Sequence, residues 1–255
     1  MKADERMRYV IIADIHANLP ALQAVLEDTK AQRCTHLACL GDVVGYYFHP
    51  KECVDIIRKM GIPCLKGNHD EYCSSNGPLD GFATRAAGYV QWTRDQLTEE
   101  DKAWLRGLPY FMTLTGFTIV HATLNRPERW CYVFDKLAAA EHFEHQTTPV
   151  CFFGHTHVPM AFVRDSMVRG GTYSNLRVKA GRKYLVNVGS VGQPRDNNPK
   201  ASYAVYDLGA ATIELRRVDY PKPDPGGPGG TNVPVPVQGP PGGPPPFLSR
   251  AKDIE

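Results

Sequence analysis

Five times in the first 157 residues of this 255-residue chain, a short apolar run ends on a cluster of glycine, carboxylate, imidazole or amide side chains. RYVIIA (8–13) runs into Asp14-Ile15-His16, and THLACL (35–40) into Gly41-Asp42-Val43-Val44-Gly45. IPCL (62–65) is followed by Lys66 and then Gly67-Asn68-His69-Asp70; FTIV (117–120) ends on His121; VCFF (150–153) ends on Gly154-His155-Thr156-His157. Such runs have the length of buried strands and are too short for helices. Ligand sites in open α/β sheets lie beyond the carboxyl ends of strands. If these strands are neighbours, five separate stretches aim at one crevice.

Helical signals fill the gaps. Leu19 to Arg33 reads as a helix, with Asn18 as cap, Pro20 in the first turn and Leu22, Val25 and Leu26 as its apolar stripe. Pro50 to Met60 reads as a second, stopped by Gly61. Further helices are expected near 79–96, 98–106 and 135–145, the second opening on a capping-box-like Thr98-Glu99-Glu100-Asp101. After Met160 the pattern turns to short strands: MAFV, KYLVNV, SYAVYD and ATIELRRV. Early βα units followed by strand-rich sequence indicate an α/β class with mixed sheets. Residues 221–246 then hold eleven prolines and seven glycines. A segment so poor in apolar side chains has little to offset its ordering entropy and is expected to be a flexible tail of polyproline character.

The bulk numbers exclude several classes. With 42% hydrophobic residues the chain can bury a sizeable core, and a net charge of +2 gives no nucleic-acid or membrane footprint. The N-terminus is too polar for a signal peptide, and no apolar run reaches the roughly 18 residues that span a bilayer. A cytoplasmic protein is expected. Seven cysteines, an odd number without a CxxC pair, argue against a disulfide framework or thiolate zinc site and for packing as small hydrophobes.

Carboxylate, imidazole and amide oxygen without thiolate suit Mn, Fe or Zn. Taken singly, Asp-x-His or Gly-Asp-x-x-Gly is an ordinary loop, and a lone strand-end histidine is more often structural. All five together, in order, are not. Seven candidate ligands (Asp14, His16, Asp42, Asn68, His121, His155 and His157) are too many for one tetrahedral ion and suit two ions sharing a carboxylate. Gly41, Gly67 and Gly154 allow unusual angles and close approach beside them.

The ordered blocks resemble the calcineurin-like metallophosphoesterase superfamily, over residues 8 to about 207. DIHANLPALQAVL, GDVVGY and VNVGSVGQPRD resemble its small prokaryotic phosphodiesterase branch. The resemblance implies a four-layer α/β/β/α sandwich with two facing mixed β-sheets, in one domain over 1–220 with a tail over 221–255. It implies that Asp14, His16 and His157 hold one divalent ion, that Asn68, His121 and His155 hold another, and that Asp42 bridges them. It further implies that His69 is the general acid and that Asp70 orients it. Two ions about 3.5–4 Å apart make hydroxide available near neutral pH, which fits in-line attack on phosphorus. The expected function is hydrolysis of phosphodiester or phosphoanhydride bonds, nucleotides among the candidate substrates. A phosphomonoesterase, or a metal-binding module with little turnover, is the alternative.

Two departures stand out. Ala122 occupies the place where a glycine usually follows the strand-end histidine, so its methyl is expected to crowd the backbone there. GDVVGYY lacks the Asp-Arg-Gly extension of Ser/Thr protein phosphatases and of symmetrically cleaving diadenosine tetraphosphatases. The partner is expected to be a small phosphoester. Tyr46, Tyr47, Asn125, Arg126 and Arg195 fall just beyond the site loops, where an Arg can hold a phosphate bidentately and a Tyr can stack on a base, but surface packing or solvation is the favoured reading for each, and His36, His49, His142 and His145 belong to no motif.

Overall fold

The computed structural model describes residues 7–79 and 84–222. Two mixed sheets face each other. One has the order β2-β1-β10-β11-β8, built from β1 (Arg8–Ile12), β2 (His36–Cys39), β8 (Asn175–Arg177), β10 (Ala201–Asp207) and β11 (Thr212–Val218). The other has the order β3-β4-β5-β9-β6-β7, from β3 (Phe111–Leu114), β4 (Phe117–Val120), β5 (Val150–Phe153), β6 (Met160–Arg164), β7 (Val168–Gly171) and β9 (Lys183–Asn187). β1 and β2 run parallel, as do β4, β5 and β9, so their carboxyl ends rise along one edge of the sandwich.

The layers follow from the two-residue period of each strand. Tyr9 and Ile11 face Phe117, Ile119, Val150 and Phe152 between the sheets. Val10 and Ile12 point the other way, onto Leu22 and Val25 of α1 (Leu19–Ala31) and Val54 and Ile57 of α2 (Pro50–Met60). Val120, Cys151 and Phe153 turn outward onto Ala139 and Phe143 of α6 (Lys136–His145). The result is the expected helix/sheet/sheet/helix sandwich. Each fully buried Ile, Leu or Phe contributes about 1.5–3 kcal/mol, so the three clusters together hold the site rigidly.

The helix signals resolve as read. Asn18 caps α1, its side chain accepting from Ala21 N (3.2 Å) while its amide donates to Gly192 O (2.8 Å). Pro50 starts α2, and Gly61 ends it in the left-handed region at φ 61°. Thr98 and Asp101 form the capping box of α5 (Glu99–Gly107). Of the stretch near 79–96, the structure gives α4 (Thr84–Gln96). IPCL is the exception: it makes a single parallel bridge, Cys39 to Cys64, instead of a strand. Its next residues coil at once into a short α3 (Asn68–Ser74). All seven cysteines are free; five are buried, Cys34 is half-buried and Cys131 is exposed. Of the expected tail, all but Pro221 and Lys222 lies outside the described residues.

Candidate metal centre

The loops beyond β1, β2 and β5 carry their polar residues on strained backbone. Asp14, His16, Asp42, His155 and His157 all have φ between 52° and 63°. Non-glycine residues seldom enter this region, and when they do they cluster at functional sites. Nothing in the motifs announces this, since glycine is the usual signal for such angles. Gly67 shows the opposite case. Its φ of −99° is ordinary, yet a Cβ there would lie 2.1 Å from Asp42 Oδ1. It is required for close approach, and the reading of unusual angles does not apply to it. Ala122 is fully buried and outside the left-handed region, so its methyl is accommodated.

The strand ends bring the distant motifs together. Asp14, His16, Asp42 and His157 form one group of ligand-type atoms within 4.8 Å of one another; Asp42, His121 and His155 form another. Asp42 belongs to both. Its Oδ2 lies 3.5 Å from His16 Nε2 on one side and 3.5 Å from His121 Nε2 on the other. Asn68, at the start of α3, sets its Oδ1 3.3 Å from His121 Nε2. All seven sequence-predicted ligands therefore converge.

Each imidazole spends one ring nitrogen on a backbone carbonyl. His16 Nδ1 donates to Val44 O (3.3 Å), His121 Nδ1 to Leu40 O (2.9 Å) and His157 Nδ1 to Gln193 O (2.7 Å), while His155 Nε2 donates to Trp130 O (2.9 Å). Such outer bonds fix tautomer and ring direction in metal-ligating histidines. The remaining nitrogens turn toward the carboxylates, and His16 Nε2 and His157 Nε2 stand only 3.0 Å apart. Two lone pairs at that distance repel unless a proton or a cation lies between them.

The titration behaviour points the same way. Burial pushes Asp14 up to about 8, assisted by the neighbouring Asp42 charge. Burial alone would also raise Asp42, but His121 and His69 outweigh it and hold that carboxyl low. His121 resists its own burial through Asp42 and rises to about 9. His16, His155 and His157 are lowered by burial, His155 to about 3. Divalent cations suit this donor set, because they neutralise two buried carboxylates while leaving the imidazoles neutral.

Asp70 does not orient His69. Its Oδ2 accepts from the backbone N–H of Asp42 (2.7 Å) and Gly67 (2.9 Å), and its Oδ1 from Val43 (2.9 Å) and Val44 (3.2 Å). A buried carboxylate facing four donors pins the loop that carries Asp42, which no motif spacing reveals. His69 is held otherwise. Its backbone N–H donates to Asp42 Oδ1 (2.8 Å), and its ring packs on Tyr46 (centroids 4.5 Å) and His16 (4.9 Å). Its Nδ1 is buried without a hydrogen-bond partner. Of the residues just beyond the site loops, Tyr46 packs against the centre and Arg195 against Tyr46, whereas Arg126 is exposed. Tyr132 was missed by the sequence reading; it stacks on His155 at 4.2 Å.

Fold and site together define an α/β protein with a candidate two-metal centre at its strand ends. A sequence profile described as the calcineurin-like phosphoesterase superfamily domain matches residues 7–211. The chain is 36% identical over 217 residues to an uncharacterized protein of Methanocaldococcus jannaschii, covering 82% of this chain and 86% of that one. It is 38% identical to a metallophosphoesterase from Sphaerobacter thermophilus of known crystal structure, covering 84% of this chain and 89% of that one with a TM-score of 0.73. A hypothetical protein from Pyrococcus horikoshii shares the fold at 19% identity and a TM-score of 0.69, over 85% of this chain and 89% of its own. The chain belongs to the calcineurin-like phosphoesterase superfamily, a group of divalent-metal phosphoester hydrolases. No helix among the described residues is long and apolar enough to cross a membrane.

Proposed function

We propose that this protein hydrolyses phosphodiester or phosphoanhydride bonds, including those of nucleotides, with two divalent ions and His69 as general acid. One observation carries the reading: two donor groups share the single carboxylate Asp42, and every imidazole in them has its other nitrogen committed to a backbone carbonyl. Asp14, His16 and His157 would hold one ion, Asn68, His121 and His155 the other, and Asp42 both. Bound there, the ions supply a hydroxide nucleophile at neutral pH and positive charge for the phosphoryl oxygens.

The chain's own groups do the rest. The His69 N–H holds Asp42 Oδ1 in place, and the His69 ring sits against His16 and Tyr46 at the half-buried edge of the site. Burial lowers its pKa, so at neutral pH the resting ring carries one N–H. An anionic substrate beside it raises its affinity for a second proton, which it can pass to the departing oxygen. The catalytic unit is residues 1–220, working in the cytoplasm, with the Pro/Gly-rich extension 221–255 outside it. Truncation after Tyr220 should leave melting temperature and rates unchanged; a large drop in either would show that the extension belongs to the folded unit.

The deciding experiment compares initial rates on bis-p-nitrophenyl phosphate and p-nitrophenyl phosphate after reloading with Mn²⁺, with Asp42→Asn as blank. Faster diester cleavage that vanishes in the blank supports the reading. Faster monoester cleavage replaces it with a phosphomonoesterase. Two bound metals without turnover on either ester would count against an enzyme of broad phosphoester specificity.

A further inference from the structure

Arg195 is a cation without an anion. Its Nη2 donates to Gln193 Oε1 (2.7 Å) and reaches Tyr46 Oη (3.4 Å), but its Nε is buried and bonded to nothing. Among the described residues no carboxylate lies within 4.0 Å of it. Arg8 and Arg216 also bury an unbonded Nε, yet Arg8 pairs with Asp207 and Arg216 with Glu214 and Asp28. The carboxylate next to Arg195 in sequence, Asp196, turns away and pairs with Arg217.

Its position explains what it is kept for. The guanidinium stands over the Tyr46 ring, 5.9 Å from the centroid, and Tyr46 packs on His16 and His69. Tyr132, which stacks on His155, lies close enough for the Arg195 charge to act on its hydroxyl. Arg195 therefore spans the mouth from the His16 side of the centre to the His155 side. Its own backbone N–H is tied to the His157 carbonyl (3.1 Å), which fixes it to the same loops. Its charge is felt by Asp14, His16, His69, His155 and His157 alike.

We propose that Arg195 is a specificity-determining residue that clamps a second phosphate adjoining the attacked phosphorus, so that the preferred substrates are phosphoanhydrides. The inference rests on the hydrolase reading above. A phosphate held by ions at the two donor groups would leave a substituent to extend toward Arg195, which packs on Tyr46 beside the centre. A neutral ester substituent offers the unpaired guanidinium edge nothing. A neighbouring phosphate offers anionic oxygens to the guanidinium donors that Gln193 and Tyr46 leave free. Gln193 and Tyr46 hold the guanidinium through Nη2, so its position is set before substrate arrives.

The test is binding to Mn²⁺-loaded wild type, Arg195→Met and Arg195→Lys, followed by calorimetry. The probes are methylenebisphosphonate, methylphosphonate and dimethyl phosphate, with metal content measured after each titration to detect chelation. Wild type should prefer the bisphosphonate over methylphosphonate by at least about tenfold. Arg195→Met should erase that preference, a loss of about 10- to 100-fold for a charge-assisted pair, while changing dimethyl phosphate binding by less than about threefold. Arg195→Lys, which keeps the charge without the fork, should fall between.

Equal losses on bisphosphonate and methylphosphonate would overturn the proposal in favour of a clamp on the third oxygen of a monoester. Unchanged binding in Arg195→Met, or a wild type without the preference, would overturn it outright. If the preference is present and lost in Arg195→Met, yet wild type turns over no phosphoester, the hydrolase reading fails and the clamp stands. A chain that takes up no metal overturns both.

Discussion

The two donor groups share Asp42 but are built in different ways. Asp14, His16 and His157 are almost entirely buried, and their loops cross-brace each other: Gly192 N donates to Asp14 O (2.9 Å), and Ser190 Oγ to Asp14 O (2.8 Å). There is no slack in this packing, since a Cβ on Gly192 would fall 1.9 Å from the Ile15 carbonyl. The second group has His121 and His155 buried but Asn68 half-buried, and it abuts the exposed Tyr132. Its strand-end loops also cross, Gly154 N donating to His121 O (2.9 Å), but the chain after His121 is held by a side chain: His142 Nδ1 accepts from Leu124 N (3.2 Å) and lies 3.2 Å from Thr123 Oγ1. The lesson is a division within one centre, between a fully enclosed side and a side that reaches the surface through Asn68 and Tyr132.

That contrast can be broken at its shared point first. Asp42→Asn should strip both ions and lower turnover by about 10³-fold or more, because one carboxylate serves both positions. A variant that retains two ions after dialysis and full rate would refute the bridging role. Removing one histidine from each group sharpens the comparison. His157→Ala and His155→Ala should each weaken one ion by at least about 100-fold, beyond what loss of an outer partner costs, and leave the other in place. Spectroscopic titration with Co²⁺ would count the two steps, and loss of both ions in either variant would mean the groups do not act separately.

The bracing itself comes next. In Asp70→Asn, whichever way the amide turns, an NH₂ faces two backbone N–H donors that now face a carboxylate oxygen. The cost should be about 3 kcal/mol of stability in urea unfolding, with Asp42 geometry loosened and metal affinity reduced. A change below about 0.5 kcal/mol would show that the four contacts contribute little.

The one pH-dependent effect among these lies behind the second group. Burial lowers His142 to about 3, so the unfolded chain, with its histidine near 6.5, takes up the proton first. Stability is retained above pH about 6.5 and lost below it at up to about 1.4 kcal/mol per pH unit, until the folded pKa is reached. His142→Gln should flatten that acid limb, measured as the urea midpoint between pH 7 and 4. Parallel curves for both proteins would remove His142 from the account.

Much of this was legible because the motifs are local. Each ligand sits within a few residues of a strand end, so naming the strand nearly placed the ligand. The mistakes share a cause. IPCL has a strand's composition, but α3 begins at Asn68, three residues after it, and only a bridge at Cys64 forms. Asp70 is adjacent to His69 in sequence yet points at the backbone of Asp42–Val44, reached only through tertiary folding. Tyr132 carried no motif and came to the site because its loop folds over His155.

By itself the sequence determined the strand and helix periods, the order of the blocks and the chemistry of the donors, since these depend on residue type and short spacing. Only the tertiary structure decided which nitrogen of each imidazole is left for a ligand, which carboxylate is shared, which one braces a loop and which arginine is left without a counter-charge. Those follow from contacts between segments far apart in the chain, such as His155 N on Asp14, 141 residues away. A buried donor or acceptor must find its partner wherever the packed sheets place it, and adjacency in the chain does not determine that choice.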